Sequence, residues 1–122
     1  VEPVMRREEL IAAIAKVRQV HVDDQIYDYI ARLAEVTRTH PLLKLGISPR
    51  GALALCRTAK ARAFAEGRDF VVPEDVTQMA EYVFAHRLML SSKARLNEYT
   101  PEAIVAEVLA QTQPPVLSER RA

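Results

Sequence analysis

The segment Gly46-Ile47-Ser48-Pro49-Arg50 combines a helix start with a cation. Ser48 is a favourable N-cap because its hydroxyl can accept a free N–H of the first turn, and Pro49 fits the first helical position. Gly46 permits a tight backbone entry. Arg50 then falls at the second helical position, where the helix dipole disfavours a cation by about 0.3–1 kcal/mol. A bound anion would reverse that sign, because the free N–H groups and the guanidinium would both point at it.

The motifs of other kinds of site are absent from the sequence. There is no Gly-x-x-x-x-Gly-Lys-Ser/Thr loop, so the chain cannot cradle a triphosphate by itself, and its cysteine and histidines lack zinc-ligand spacing. No side chain is nominated as a nucleophile with a base. We therefore expect no catalytic residue and no metal ligand in this chain. The simpler interpretation of Arg50 is a solvated surface arginine.

The composition is that of one helical domain. The chain has 122 residues, of which 49% are hydrophobic, and only 3 glycines, which favours helices over a turn-rich β fold. A formal net charge of +1 gives the surface no strong attraction for nucleic acid. The single cysteine, Cys56, lies in a helical apolar pattern and is predicted to be buried. With no apolar run long enough to span a membrane and no signal peptide, we expect a cytoplasmic protein without membrane insertion.

Apolar periodicity predicts an all-α fold, a compact bundle of about four to five helices. Proline and capping residues mark three helix starts, and Gly67 marks a helix end. The predicted helices cover about 7–18, 24–39 and 49–66, then run from Pro73 towards Leu88 and from Thr100 towards Gln113, with short extended strips near 20–22 and 69–72. We predict a loop over 41–47 and a linker with some local structure over 91–99.

The domain boundary is placed after the last predicted helix. Residues 1–112 are assigned to the helical domain, and the polar residues 113–122 to a disordered tail. The carboxylate pairs Asp23-Asp24 and Glu74-Asp75 stand at helix starts, where complementing the helix dipole is a sufficient interpretation.

Several segments, in this order and spacing, resemble the C-terminal lid domain of the MoxR family of AAA+ ATPases. The resemblance extends over about 9–109, and the ordered set is much more specific than a lone Ser-Pro-Arg. The segments are GISPRGALAL at 46–55, GRDFV at 67–71, PEDV at 73–76 and AHRL at 85–88. One departure is Val72, where many relatives have a threonine cap before the proline.

The resemblance implies a role for Arg50. In this family the arginine of the Gly-x-Ser-Pro-Arg motif is the sensor 2 residue, and it reaches the terminal phosphate of ATP held by the ATPase core. That residue maps onto Arg50, with Gly46, Ser48 and Pro49 supporting the motif. The chain would then be a lid that follows the core in a longer polypeptide, which agrees with its start at Val1 without a methionine.

The resemblance also implies cofactors and partners. ATP and Mg²⁺ would bind the full-length parent and not this chain tightly, so the chain alone is not expected to be an enzyme. The expected partners are the ATPase core of the same polypeptide, neighbouring subunits of a ring that is often a hexamer, and a von Willebrand factor A-domain protein. The parent would act as a chaperone-like remodelling ATPase. Neither nucleic acid nor membrane is an expected partner.

Two further arginines are candidate anion or partner contacts. Arg57 lies seven residues after Arg50 and nearly on the same side of the predicted helix, where it could support a phosphate or meet a neighbouring subunit. The alternative for Arg57 is a solvated basic stripe. Arg87 is interpreted equally well as a functional residue or as the cap of a helix C-terminus.

Two interpretations from other classes remain open. The segment from Gly67 to Val76 resembles the loop and third helix of histone folds, so a helical DNA-binding domain is the main alternative. Against it stand the net charge of +1 and a third helix of only about 18 residues, short for the central helix of a histone. A plain protein-interaction bundle fits everything except the electrostatic cost at Arg50.

A titration with duplex DNA separates these alternatives. A DNA-binding domain should bind at micromolar concentration with an affinity that falls steeply with salt, because its cations release counterions from the phosphates. The lid interpretation predicts no binding even at low salt. Fluorescence anisotropy of a labelled duplex measures this, and salt-sensitive binding would contradict the lid interpretation.

Overall fold

The structure, a computed structural model, describes residues 5–117 and is mostly helical, as predicted. Within this range six α-helices, one 3₁₀ turn and two short strands follow each other. They are α1 Arg7–Arg18, α2 Asp24–Arg38, β1 Leu43–Leu45, α3 Pro49–Ala65, α4 Pro73–Phe84, the 3₁₀ turn Ala85–Arg87, β2 Met89–Leu90, α5 Ser92–Leu96 and α6 Pro101–Gln111. The all-α class is therefore confirmed.

Two short elements lie where the sequence suggested only connections. The predicted loop contains β1, which pairs with β2 in an antiparallel ladder, and the predicted linker contains α5. The ladder continues where Ser91 N–H donates to the Leu42 carbonyl at 2.9 Å. These contacts join segments more than forty residues apart, so no local periodicity announces them.

The two predicted extended strips are hydrogen-bonded neighbours. His21 N–H donates to the Asp69 carbonyl at 2.9 Å, and Val71 N–H donates to the His21 carbonyl at the same distance. The resulting parallel bridge between His21 and Phe70 ties the connection after α1 to the connection after α3.

The core lies where α2, α3, α4 and α6 meet, and α3 with α4 forms the most extensive helix contact. The apolar stripe of α2, which is Ile26, Tyr29, Ile30, Leu33 and Val36, is buried except for Val36, which is half-buried. Leu55, Ala59 and Ala63 of α3 are fully buried. Small side chains on α3 allow the close approach of its neighbours. Cys56 is buried as predicted, and burial raises the pKa of its thiol.

Helix α1 is the exception to the agreement between periodicity and burial. Its apolar residues predicted a helix correctly, but α1 contains no buried residue. Leu10, Ile11 and Ile14 are 51%, 52% and 45% exposed. Within the described residues, α1 packs mainly on α3 and keeps an uncovered apolar face.

The region after α6 has no regular structure over residues 113–117. Arg32 nevertheless donates to the Gln113 carbonyl at 3.2 Å, and Leu117 packs against the core. The rest of the predicted tail, 118–122, lies outside the described residues, so its disorder stays a prediction.

The Asp75 carboxylate is the centre of a buried polar cluster at the start of α4. Asp75 is fully buried, and its two oxygens accept hydrogen bonds of 2.7–2.8 Å from Arg62, Arg68 and the Val72 N–H. The bond from Val72 N–H caps the start of α4 although Val72 itself has no polar side chain. Interpreting Asp75 as a dipole partner therefore missed most of its role, which is to join α3, the 68–72 connection and α4.

The hydrogen bonds to Asp75 outweigh the cost of burying it. Burial alone raises the pKa of this carboxyl. The hydrogen bonds from Arg68, Val72 N–H and Arg62 together lower it by more than burial raises it, so the net pKa lies below the ordinary value of 3.8. The hydrogen bond between Arg68 and Asp75 also raises the pKa of Arg68. Because the folded-state pKa is depressed, the stabilisation is complete above the unfolded pKa and is lost as pH falls through the folded one.

We predict that Asp75→Asn lowers the free energy of unfolding by about 3 kcal/mol at pH 7, since two arginines lose a buried partner. The deficit should shrink as the pH falls from the ordinary carboxyl pKa of 3.8 through the lower pKa of folded Asp75, because the unfolded wild-type chain takes up a proton in this range more readily than the folded one. Urea denaturation across this pH range measures both effects. Glu74→Gln, one residue away and exposed, is the control; an equal loss in the control would contradict the assignment.

Candidate functional site

The start of α3 has the capping geometry that the sequence predicted. Ser48 is extended, with φ −78° and ψ 166°, and its hydroxyl accepts from Gly51 N–H at 3.2 Å. Pro49 occupies the first helical position and Arg50 the second. Ser48, Pro49 and Arg50 are all exposed, and the first turn contains no acidic residue. Arg50 is therefore an uncompensated cation at the positive end of the helix.

The end of α2 holds the residue that precedes this cap. Ile47 is 1% exposed, and both of its backbone polar groups are bonded to α2. Its N–H donates to the Thr37 hydroxyl at 2.9 Å, and its carbonyl accepts from Arg38 Nε at 2.8 Å. The Thr37 hydroxyl donates in turn to the Ala34 carbonyl. This arrangement fixes where α3 begins relative to α2.

Thr37 is a positioning residue that the sequence interpretation missed. It lies on the buried stripe of α2, four residues after Leu33, and is 1% exposed. A threonine at a stripe position is a usable signal, because a buried hydroxyl must find hydrogen-bond partners. Its acceptor role towards a backbone ten residues away could be seen only in the fold.

Gly46 is required by a close backbone approach. A Cβ at this position would lie 2.6 Å from the Thr37 carbonyl carbon and 2.7 Å from Arg38 N. Both are backbone atoms inside a helix, so neither can move aside cheaply. The predicted tight entry at Gly46 is thus confirmed, with α2 as the surface that it approaches.

The side chain of Arg87, which belongs to the 3₁₀ turn, lies beside the start of α3. A Cβ on Gly51 would lie 3.3 Å from Arg87 Cδ, so the arginine stem passes beside the first turn of α3. Arg87 is exposed, and within residues 5–117 neither it nor Arg50 forms an ion pair. The structure therefore brings a second unpaired arginine to the end of the helix that carries Arg50.

Arg57 lies apart from this end. Seven helical residues separate it from Arg50, a distance of about 10 Å along the axis, with the two side chains about 20° apart around it. Arg57 instead lines a groove between α3 and α1, together with Leu10 and Ile14. The start of α3 thus gathers Gly46, Ser48, Pro49 and Arg50, and leaves Arg57 outside.

Metal-binding groups and membrane-spanning helices were also sought among the described residues. Across 5–117, histidine, cysteine and carboxylate side chains do not gather in groups of three that could hold a metal ion. None of the helices in that range has the length and apolarity needed to cross a membrane.

Comparison with known proteins identifies the class of domain to which this helical fold belongs. Residues 35–108 match the family model of the AAA lid domain. The chain therefore belongs to the AAA lid domain family.

Individual relatives extend this match over more of the chain. The protein YeaC of Bacillus subtilis is 39% identical over 115 residues, which is 94% of this chain and 36% of YeaC. Chaperone MoxR1 of Mycobacterium tuberculosis is 33% identical over 97 residues, 72% of this chain and 26% of that protein. The chain thus spans about a third or less of these relatives.

A solved structure has the same fold. The crystal structure of a Cytophaga hutchinsonii protein described as an ATPase superimposes with a TM-score of 0.80 at 27% identity. The similarity covers 84% of this chain and 34% of that one. In the solved structure too, this fold forms only part of a larger protein.

We predict that Thr37→Val lowers the free energy of unfolding by about 1–3 kcal/mol, because the buried Ile47 N–H loses its acceptor while the side-chain shape is kept. Thr39→Val is the matched control. The Thr39 hydroxyl is exposed and makes one long bond of 3.4 Å, so its loss should cost less than about 0.5 kcal/mol. Urea denaturation of both variants tests this; equal losses would contradict the anchoring role of Thr37.

Proposed function

We propose that this chain is the sensor 2 lid of a MoxR-like AAA+ ATPase, with Arg50 as the residue that contacts the terminal phosphate of ATP. The observation that carries the proposal is the exposed, unpaired arginine at the second position of a helix without acids in its first turn. A cation there is favoured once an anion arrives from outside the chain. The AAA lid family supplies the class of anion, since such a lid works with a nucleotide-binding core.

The anchoring of the segment supports a coupling role. Ile47 is bonded to α2 through both its N–H and its carbonyl, and Gly46 lies directly against the α2 backbone. A force applied at Arg50 is therefore transmitted to α2 with little local yielding. Binding and release of the terminal phosphate would in this way move the lid as one body. Its position relative to the neighbouring domains of the ATPase would change with it.

The rest of the activity belongs to the full-length ATPase. ATP and Mg²⁺ would be held by its core, and this chain would supply the Arg50 contact without being an enzyme alone. Arg87, whose stem lies beside Gly51, adds positive charge at the same end. We further propose a cytoplasmic ring, with neighbouring subunits and a von Willebrand factor A-domain protein as partners, that remodels other proteins.

We predict that Arg50→Ala in the full-length ATPase lowers kcat for ATP hydrolysis by about 100-fold, the usual cost of removing one donor to developing charge. Arg50→Lys should recover part of this, because it keeps the charge and loses the planar guanidinium. Arg95→Ala removes an exposed arginine on α5 and serves as the control. Steady-state kinetics and sedimentation measure turnover and assembly.

Normal turnover and normal assembly in Arg50→Ala would contradict the sensor role. The same would follow if the alanine variant lost activity only by unfolding. Circular dichroism of the variant chain detects unfolding, and none is expected because Arg50 is exposed. The wild-type chain by itself is expected to release no phosphate from ATP.

A further inference from the structure

The imidazole of His40 links three parts of the fold through directed polar contacts. His40 follows the end of α2, and its side chain is only 5% exposed. The Nε2 atom lies 2.9 Å from a carboxylate oxygen of Glu107 on α6. The Nδ1 atom accepts a hydrogen bond of 3.1 Å from the backbone N–H of Leu42, the residue before β1. One buried ring thus connects the end of α2 to α6 and to the start of the β1–β2 ladder.

The bond from Leu42 fixes the protonation state of this ring. A backbone N–H can only donate, so Nδ1 must present a lone pair to it. The single proton of the neutral imidazole therefore lies on Nε2, which donates it to Glu107. Pro41 has no N–H, which makes Leu42 the first backbone donor after His40. The structure thus holds His40 in one neutral tautomer.

The two contacts of His40 have opposite effects on a second proton. The Glu107 carboxylate favours the imidazolium, whereas the Leu42 N–H opposes it, because a proton on Nδ1 would face another donor. Among the described residues that line the cavity beside the ring, Glu107 is the only titratable one besides His40. The others are Val36, Thr39, Pro41, Leu42 and Gln111. His40 can therefore gain a proton only by giving up the bond from Leu42.

Leu42 begins the segment that leads to the candidate site. Its carbonyl accepts from Ser91 N–H at 2.9 Å, which extends the ladder to β2. At the other end of the segment, Ile47 N–H donates to the Thr37 hydroxyl of α2. Residues 42–47 are thus held at their start by contacts with His40 and Ser91 and at their end by Thr37, and Arg50 follows in the first turn of α3.

We propose that His40 is a protonation switch between α6 and the segment that positions Arg50. In the neutral state, Nδ1 holds Leu42 and Nε2–H holds Glu107. When Nδ1 takes up a proton from solvent, the bond from Leu42 is lost, the contact with Glu107 becomes an ion pair, and the start of segment 42–47 is released. The effect of this release on ATP hydrolysis rests on the proposed function, whereas the switch itself does not.

An NMR titration of the 122-residue chain tests the switch. The nitrogen chemical shifts of the His40 ring report its tautomer and its protonation directly. We expect the Nε2–H tautomer in the neutral state, and a fall of about fivefold in the hydrogen-exchange protection factor of the Leu42 amide as the ring is protonated, which corresponds to one hydrogen bond. An Nδ1–H tautomer, or Leu42 protection that stays constant through the protonation of His40, would overturn the proposal.

The Ala94 amide is the matched control for this titration. It donates to the Ser91 hydroxyl at 3.1 Å, the same length as the bond from Leu42 to His40, and a hydroxyl acceptor does not titrate. Its protection factor should stay constant while that of Leu42 falls. An equal fall at Ala94 would show general loosening of the fold and would contradict a switch at His40.

Two substitutions separate the acceptor from the titrating proton. His40→Asn keeps an acceptor for the N–H two residues on, as in an Asx turn, and cannot be protonated in this range, so Leu42 should stay protected at every pH of the titration. His40→Leu removes the acceptor and should leave Leu42 about fivefold less protected at neutral pH, with Ala94 reporting that the variant is folded. Leu42 protection that still fell with pH in His40→Asn would assign the effect to another group.

Turnover of the full-length ATPase tests the link to Arg50. His40→Leu should lower ATP hydrolysis about tenfold, because a small displacement of a contact residue is costly, and His40→Asn should retain most of the activity and lose the pH dependence that His40 contributes. Normal turnover in His40→Leu, with Arg50→Ala inactive, would refute the link. Normal turnover in Arg50→Ala would refute the sensor role, while the Leu42 amide would still decide whether His40 is a switch.

Discussion

The position of the candidate site depends on the hydrogen bond from Ile47 N–H to the buried Thr37 hydroxyl. With the Arg38 bond to the Ile47 carbonyl, it fastens the residue before the Ser48 cap to the last turn of α2. Gly46 makes this possible because no side chain separates the two backbones. The direction in which α3 leaves α2, and hence the place of Arg50, follows from these few contacts.

A second polar centre holds the other end of α3. The Asp75 carboxylate joins Arg62 of α3 and Arg68 of the connection to the first turn of α4. Both centres use polar groups inside a mainly apolar core, where a hydrogen bond gives direction as well as stability. The helix that carries Arg50 is thus fixed near both ends, while the side chain of Arg50 itself stays free in solvent.

A lid with this arrangement is suited to transmit motion. In the proposed role, the contact with the nucleotide would be one exposed side chain, that of Arg50, on a helix that is fixed near both of its ends. This is how a single contact can bias a domain arrangement, since interfaces between packed domains have discrete alternatives.

The sequence by itself determined most of the helices, the caps at their starts and the cation at the start of α3. Periodicity fixed α1 to α4 and α6, and Ser48-Pro49-Arg50 placed a cation at a helix start, because these features depend on neighbours within a few residues. Only the tertiary structure decided that Thr37 accepts from Ile47, that Asp75 lies between two arginines, and that Arg57 borders a groove apart from Arg50. It also decided that the apolar stripe of α1 stays exposed, since periodicity records which face is apolar but not what covers it. These contacts join residues that are distant in the chain. The types of the two residues do not show whether the fold brings them close enough to form a hydrogen bond.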